Sequence, residues 1–420
     1  MNERVILHSD LNNFYASVAC LYDPSIRSLP VAVCGDPSLR HGIVLAKNGP
    51  AKATGIKTGE AVWQARQKCP GLVVVPPDYR LYIRYAHAVR RIYGDYTDQV
   101  EPFGLDEAWL DVGGTCHSGM TGRKMADEIR GRIRSELGLT ASVGVSDNKI
   151  FAKLGSDMKK PDATTVITRE NYKSLVWPLP AADLLYVGPS TRRRLARLGI
   201  HTIGSLAVLE RSFLRSYLGK WGEVLHSFAN GEDQSPVSVS GYESAIKSIG
   251  NSTTTPRDLE TFQDVQLILY VLSESVATRM REHHFKCRTV QIYVRDNELA
   301  SFERQARLPR PSSLSSDIAR LAMRLFEDAY PWRRPVRSIG VRGCDLVSAD
   351  TCVQLSLFEN EEQRVKLEKL EDAIDHLRQR FGNASVKRAV LLGDQALGGI
   401  NPKDDHVIFP VGYFKDGPVP

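Results

Sequence analysis

"FGLDEAWLDV", residues 103–112, sets three acids, Asp106, Glu107 and Asp111, among Leu105, Ala108, Trp109, Leu110 and Val112. The apolar residues read as a strand with a buried face, and such strands carry acids only where something neutralises them. Two partners are open to it: basic side chains at a strand end near the surface, or a cation held between carboxylates. Adjacent residues of an ideal strand point to opposite faces, so Asp106 and Glu107 converge only if the strand begins or bends there. Pro102 and Gly104 just upstream make such a bend reasonable. Another acid, Asp10, ends the apolar strand that starts at Val5. Asp111 reads as structural or solvated.

The chain has 420 residues, 42% hydrophobic and 25% charged. That composition reads as a soluble globular protein of two to four domains, at roughly 100–200 residues each. A net charge of +6 is too small to claim a nucleic-acid partner without local clustering. The seven cysteines are scattered and form no CxxC, so neither a zinc site nor a disulfide framework is indicated. The N-terminus lacks a signal-peptide pattern and no apolar run reaches about 18 residues, so a cytoplasmic protein without a membrane partner is expected.

Strands are predicted at 5–10, 29–35, 42–48, 103–112 and 140–146, with helices over about 82–96 and 121–136. From Ala181 the texture changes to short helices punctuated by glycine. Residues 232–246, rich in Ser and Gly with little apolar periodicity, read as a linker. Helical patterns at about 261–284 and 314–330 then alternate with strands at 287–295 and 336–345, an α+β unit. The tail from 350 carries one charged helix, 361–381, and closes with Gly- and Pro-rich sequence.

"HSDLNNFYASV" (8–18), "FGLDEAWLDV", "SVGVSDNKIFAKLGSDMKKPD" (142–162) and the glycine-punctuated helices after 183 occur in this order. Together, over residues 4–346, they resemble the Y family of translesion DNA polymerases, and within it the UmuC-type branch of bacteria. The resemblance implies an α+β multidomain fold like a right hand. Its parts would be a palm (1–20 and 78–165), small fingers (21–77), a helical thumb with a helix-hairpin-helix (166–231), a linker (232–242), an α+β little finger (243–346) and a tail (347–420). It implies low-fidelity, template-directed addition of deoxynucleotides to a primer 3′ end at damaged DNA in the SOS response. Primer–template DNA and the incoming dNTP would be partners, and two Mg2+ ions the cofactor, held by Asp10, the Leu11 carbonyl, Asp106 and Glu107.

For Tyr15 the family implies a steric gate against a 2′-hydroxyl, by plain overpacking. Phe14 reads equally as a nucleotide contact or as core. In "AKNGPAKATGIKTG" (46–59), Gly49 and Lys52 stand where many members have tyrosine and arginine. A lysine supplies a point charge rather than a bidentate fork, which loosens the grip on a triphosphate. The family motif places Lys160 against the incoming phosphates, with Lys149 and Lys153 less direct.

"VGPSTRRRLARLGI" (187–200) resembles a helix-hairpin-helix whose turn offers amides to a DNA phosphate, with Gly188, Ser190, Arg192 and Arg193 as contacts. Glycine at 188 would let the phosphate come close. Farther along, Arg279, Arg281, Lys286, Arg288, Arg295, Arg333, Arg334, Arg337 and Arg342 read as phosphate contacts without sequence readout, Arg333 and Arg337 foremost. "QLSLF" (354–358) resembles the bacterial sliding-clamp-binding peptide: Gln354 would hydrogen-bond while Leu355, Leu357 and Phe358 fill an apolar pocket. The UmuC-type branch also implies activating accessory proteins. Two other readings stay open, a palm-type nucleotide cyclase and a non-catalytic scaffold recruited through the clamp. The DNA-gripping thumb and little finger weigh against the first, and the complete metal carboxylates against the second.

Overall fold

The computed structural model describes residues 4–36, 42–117, 119–242, 245–351 and 361–402. Among these, 4–35 and 43–242 form one compact unit, and 245–351 with 361–402, together with residues 36 and 42, form the other. None of the described helices is long and apolar enough to cross a membrane.

In chain order the first unit contributes β1 (Ile6–Leu11), β2 (Val31–Cys34), β3 (Val44–Lys47), β4 (Val73–Val75), β5 (Val100–Pro102), β6 (Glu107–Asp111), β7 (Ala141–Ser146) and β8 (Thr164–Val166). β1 lies at the centre of a five-stranded sheet, order β5-β6-β1-β7-β8, antiparallel to both neighbours. Its residues are buried throughout, so its two faces are set by alternation. Leu7 and Leu11 join the core made with Val89 and Ile92 of helix Tyr79–Gly94 and Ile129 and Ile133 of helix Gly122–Leu137. Ile6 turns the other way, toward Ala152 of helix Lys149–Met158. That helix lies so close to β7 that a Cβ on Gly144 would collide with the Ala152 carbonyl. A smaller sheet, order β3-β2-β4, encloses a cluster around Ala32, Val44, Ile56 and Leu72. Short helices between Tyr172 and Ala229 pack around Leu195, Ile203, Leu206, Leu214 and Leu225.

The predicted linker is largely docked. Val237 is buried against Ile6, Trp109 and Ala152. The Glu101 carboxylate accepts from the Ser238 amide (2.9 Å), the Ser240 amide donates to the Asp98 carbonyl (2.8 Å), and Arg4 reaches the Asp233 and Ser235 carbonyls. One buried residue in a polar run carries no periodicity, which is why composition reads the stretch as free.

The second unit contains β9 (Ser248–Leu259), β10 (Phe285–Asp296), β11 (Ser301–Ser312) and β12 (Val336–Ser348), an antiparallel sheet of order β11-β10-β12-β9. Helices Phe262–Glu282 and Ser315–Ala329 cover one face over Val290, Ile292, Val294, Ile339 and Val341. Both edge strands escape a hydrophobic reading: β9 is rich in Ser and Thr, and β11 in Arg.

The tail expected from 347 onward divides differently. β12 runs to Ser348, and helix Glu361–Phe381 belongs to the same unit. Arg281, 15% exposed, lies within 2.7 Å of Asp375 and also binds Glu371 and the Ser313 carbonyl (2.8 Å). Arg378 and Arg388 both hold Glu274, and Leu391 and Leu397 join the core. Arg281 is therefore a structural ion and not a DNA contact. Arg281→Ala would take the nearest cation from Glu371 and Asp375 in a mostly buried place, a loss of up to about 3–5 kcal/mol. Urea unfolding of the full chain measures it, and an unchanged midpoint would show that the helix is held otherwise.

Candidate active site

His8 and Asp10 share the face of β1 that looks toward helix Lys149–Met158. Across the ladder Asp10 stands opposite Glu107, and His8 opposite Trp109. Like charges directly opposite each other on a sheet repel. Asp106 joins them because β6 begins only at Glu107: Gly104, at φ +90°, turns the chain just before it. The Leu11 amide donates to the Asp106 carbonyl (3.0 Å), stitching the end of β1 to that turn. The bend anticipated from Pro102 and Gly104 is thus what brings two neighbouring acids to one edge.

Burial, with Glu107 and Asp10 beside it, pushes the Asp106 carboxyl up to about 7. Burial likewise raises Asp10, against the opposing pull of Lys160. Two ammonium groups answer this charge. Lys153 Nζ lies 2.7 Å from Glu107 and 3.7 Å from Asp10, and Lys160 Nζ lies 2.7 Å from Asp10 and 2.9 Å from Asp157. Burial works against the Lys153 ammonium, but Glu107, Asp157 and Asp10 outweigh it and raise its pKa. His8, pushed down to about 3 by burial and by Lys153, is neutral. Its Nδ1 meets Ser156 Oγ at 2.8 Å, and its Nε2 lies 3.3 Å from Glu107.

Among the described residues, no three Asp, Glu, His or Cys groups stand at metal-ligand spacing as they are, since Asp10 and Glu107 face ammonium groups. The donor set still fits a hard divalent cation. It consists of carboxylate oxygens gathered where burial, and then the charge of Glu107 and Asp10, raise the pKa of Asp106. Such a cation could take the place of the lysines against Asp10, Asp106 and Glu107.

Tyr15 lies at this edge, in helix Phe14–Tyr22. Its ring stacks on Tyr82 (centroids 4.1 Å, 13° between planes) and meets Tyr79 edge-on (6.1 Å). Phe14, by contrast, is 2% exposed in the core, so the nucleotide-contact reading of Phe14 is corrected: the helix turns it inward. Lys52 is exposed on helix Gly49–Ala53, which Asn48 caps through Ala51. It lies near enough to Lys47 to help lower that lysine's pKa, after burial. Lys160 is held on Asp10 and Asp157, and Asn12 orders the turn after it by accepting from the Asp162 amide (2.8 Å).

In the 187–200 motif, Ser190, Arg192 and Arg193 are exposed, and no side chain caps helix Pro189–Arg197. Gly188 has an ordinary φ of −76°, and a Cβ there would meet no protein atom within 4 Å. Nothing inside the chain requires that glycine. The positive φ sits instead on Tyr186.

The arginines of the second unit divide sharply. Lys286 pairs with Glu368, and Arg334 with Asp296 and Glu298. Arg333 is exposed in the turn before β12, while Arg337 is half-buried at the register shift near the start of that strand. Arg342, exposed on the opposite side, lies across the ladder from Gly250, whose missing Cβ makes room for its stem. The clamp-like residues Gln354, Leu355, Leu357 and Phe358 lie outside the described residues.

His8 and Asp157 are the site residues that motif reading missed, and Lys153, read as a less direct phosphate contact, is paired with Glu107 and Asp10. Period-2 spacing of His8 from Asp10, and the four-residue step from Lys153 to Asp157, carried that signal.

The chain is similar to known proteins along most of its length. Residues 9–157 match the impB/mucB/samB family, and residues 246–357 match its C-terminal domain. DNA polymerase IV of Acetivibrio thermocellus is 55% identical over 398 residues, 95% of this chain and 100% of the relative. DNA polymerase IV of Moorella thermoacetica is 40% identical, covering 92% and 96% of the two chains. DNA polymerase IV 1 of Bacillus subtilis is 36% identical, covering 93% of each. A solved Y-family DNA polymerase chimera superposes with a TM-score of 0.71 at 22% identity, covering 82% of this chain and 99% of that one, a likeness of fold. These relatives do not support the UmuC-type branch expected from the fingers residues. A likeness of fold to a solved Y-family polymerase, an acidic edge on the central strand and kinship along nearly the whole chain lead to one conclusion: the chain belongs to the impB/mucB/samB family and is a Y-family translesion DNA polymerase of the DNA polymerase IV kind.

Proposed function

We propose that Asp10, Asp106 and Glu107, with the Leu11 carbonyl, hold two Mg2+ ions and that this edge transfers a nucleotide from a dNTP to a primer 3′-hydroxyl. The convergence of three carboxylates on one strand edge carries the reading. When bound, the ions supply a lowered pKa for the attacking hydroxyl and neutralise charge on the leaving pyrophosphate. The chain's own residues do the rest. Lys153 and Lys160 neutralise the carboxylates in the metal-free protein, and Lys160 can then turn to the triphosphate. Lys47 and Lys52 add point charges from the fingers side. Tyr15, pressed against Tyr82, forms the wall beneath the sugar. Purified protein should extend a primer according to its template with Mg2+ and stop with a chelator. Addition indifferent to the template would defeat the reading.

The uncapped turn at Gly188, with Ser190, Arg192 and Arg193, and the side of the second sheet bearing Arg342 are the surfaces we assign to primer–template DNA. Arg342 has no ion-pair partner among the described residues, whereas Arg281 and Lys286 do. Arg342→Ala should weaken binding and lower the log–log salt slope by roughly 0.9. The same slope before and after substitution would remove Arg342 from the interface.

For the clamp, the short apolar sequence at 354–358 supports a tether. Burying two leucines and a phenylalanine in a partner contributes about 1.5–3 kcal/mol per side chain before ordering costs. Leu357→Ala with Phe358→Ala should abolish clamp binding and clamp-stimulated synthesis and leave clamp-free synthesis near normal. Loss of clamp-free activity would mean that these residues belong to the fold.

A further inference from the structure

The approach to helix Pro189–Arg197 contains an outlier. Tyr186 has φ +69°, a region where a bulky residue is strained and glycine is at ease. Burial does not offset this, because Tyr186 is 56% exposed. Its ring leans on Trp221, equally exposed, with centroids 5.6 Å apart, and reaches Phe228 at 6.3 Å. Trp221 is the second residue of helix Lys220–Ala229, which follows Gly219 as Pro189 follows Gly188. The ring pair therefore joins two glycine-led turns on one surface. A glycine at 186 would relieve the strain without opening the core, so the side chain itself is what the strained position serves.

Exposed cations outnumber acids in the chain segments that carry the pair, where Asp183 and Glu223 are the nearest acids. Arg192, Arg193, Arg197 and Lys220 are exposed, and no acid occurs between Asp183 and Glu210. Arg194 is turned instead to Tyr217, and Glu223 is neutralised by Arg215. Flat aromatic surface on a segment rich in exposed cations suits a polyanion whose anionic groups alternate with apolar sugar rings.

We propose that Tyr186, backed by Trp221, is a contact for the sugar–phosphate backbone of duplex DNA, its ring against a deoxyribose and its hydroxyl donating to a phosphate. The proposal rests on the reading that the turn at Gly188 grips primer–template DNA. Full-length Tyr186→Gly, Tyr186→Asn (a residue that tolerates left-handed backbone), Tyr186→Phe and the pair Arg192→Ala with Arg193→Ala would be compared in two measurements. One is the thermal midpoint, and the other is binding of a fluorescent primer–template across a salt series. Tyr186→Gly and Tyr186→Asn should keep or raise the midpoint yet weaken binding roughly tenfold at an unchanged salt slope, since stacking releases no counterions. Tyr186→Phe should recover most of the loss. The arginine pair should weaken binding and lower the slope by roughly 1.8. A lowered midpoint with unchanged DNA affinity in the Gly and Asn variants would make Tyr186 a packing residue and overturn the proposal. If only the arginine pair weakens binding, Tyr186 is excluded while the turn keeps its DNA role. If no variant moves affinity, the assignment of the turn falls as well.

Discussion

Asp106→Asn will lower primer extension by on the order of 10³-fold or more and leave primer–template affinity within about threefold. Several kcal/mol of transition-state stabilisation depend on the cations this carboxylate would share, and each 1.36 kcal/mol is a factor of ten. The surfaces proposed for DNA involve other residues, so binding should be spared. A second readout needs no activity: Mg2+ or Mn2+ should raise the thermal midpoint of the wild type and not of the variant. The metal-free proteins should differ in a definite sense as well. The Asp106 pKa rises from the ordinary carboxylate range, about 4, to about 7 on folding. Its contribution to stability is therefore complete below pH 4 and is lost as the pH climbs to 7. The wild type should weaken relative to Asp106→Asn across that window and hold a constant gap above it. A variant that keeps extension within a few-fold would end the assignment of Asp106 to the metals.

Tyr15→Ala should raise the ratio of ribonucleotide to deoxynucleotide incorporation roughly 10- to 100-fold in single-turnover assays. A 2′-hydroxyl meets a ring that cannot retreat: Tyr82 behind it is 2% exposed and stacked 4.1 Å away, with Tyr79 closing the side. Overpacking of that kind costs about 1–3 kcal/mol, which sets the size of the effect. Tyr15→Phe should keep the wild-type ratio, because the wall is the ring and not its hydroxyl. An unaltered ratio in the alanine variant would leave Tyr15 with packing alone.

The acidic edge was legible in the sequence because its cause is local. Pro102 and Gly104 announce a bend, and the bend lets Asp106 and Glu107 point together. Lys153 was less legible, since its partners Glu107 and Asp10 come from strands distant in the chain and only the fold of Gly144 against Ala152 brings its helix within reach. The arginines of the second unit show the same limit. Arg281 and Arg342 look alike in a string of letters, yet one is spent on Glu371 and Asp375 and the other has no ion-pair partner among the described residues. β9 and β11 went unseen because edge strands carry few apolar residues, and Val237 because a single buried residue has no period.

Helix Glu361–Phe381 changes what kind of attachment the clamp-like sequence can be. Its first residue, Glu361, is ion-paired to Arg310 of β11, and Thr351 stands just past the end of β12. The described residues on either side of 352–360 therefore belong to one folded body. A clamp gripping 354–358 would hang as from a shackle with both pins closed, not at the end of a line. The enzyme could then turn beside the clamp without drifting far from it, and cutting the chain after β12 would take away a wall of the second unit together with the coupling.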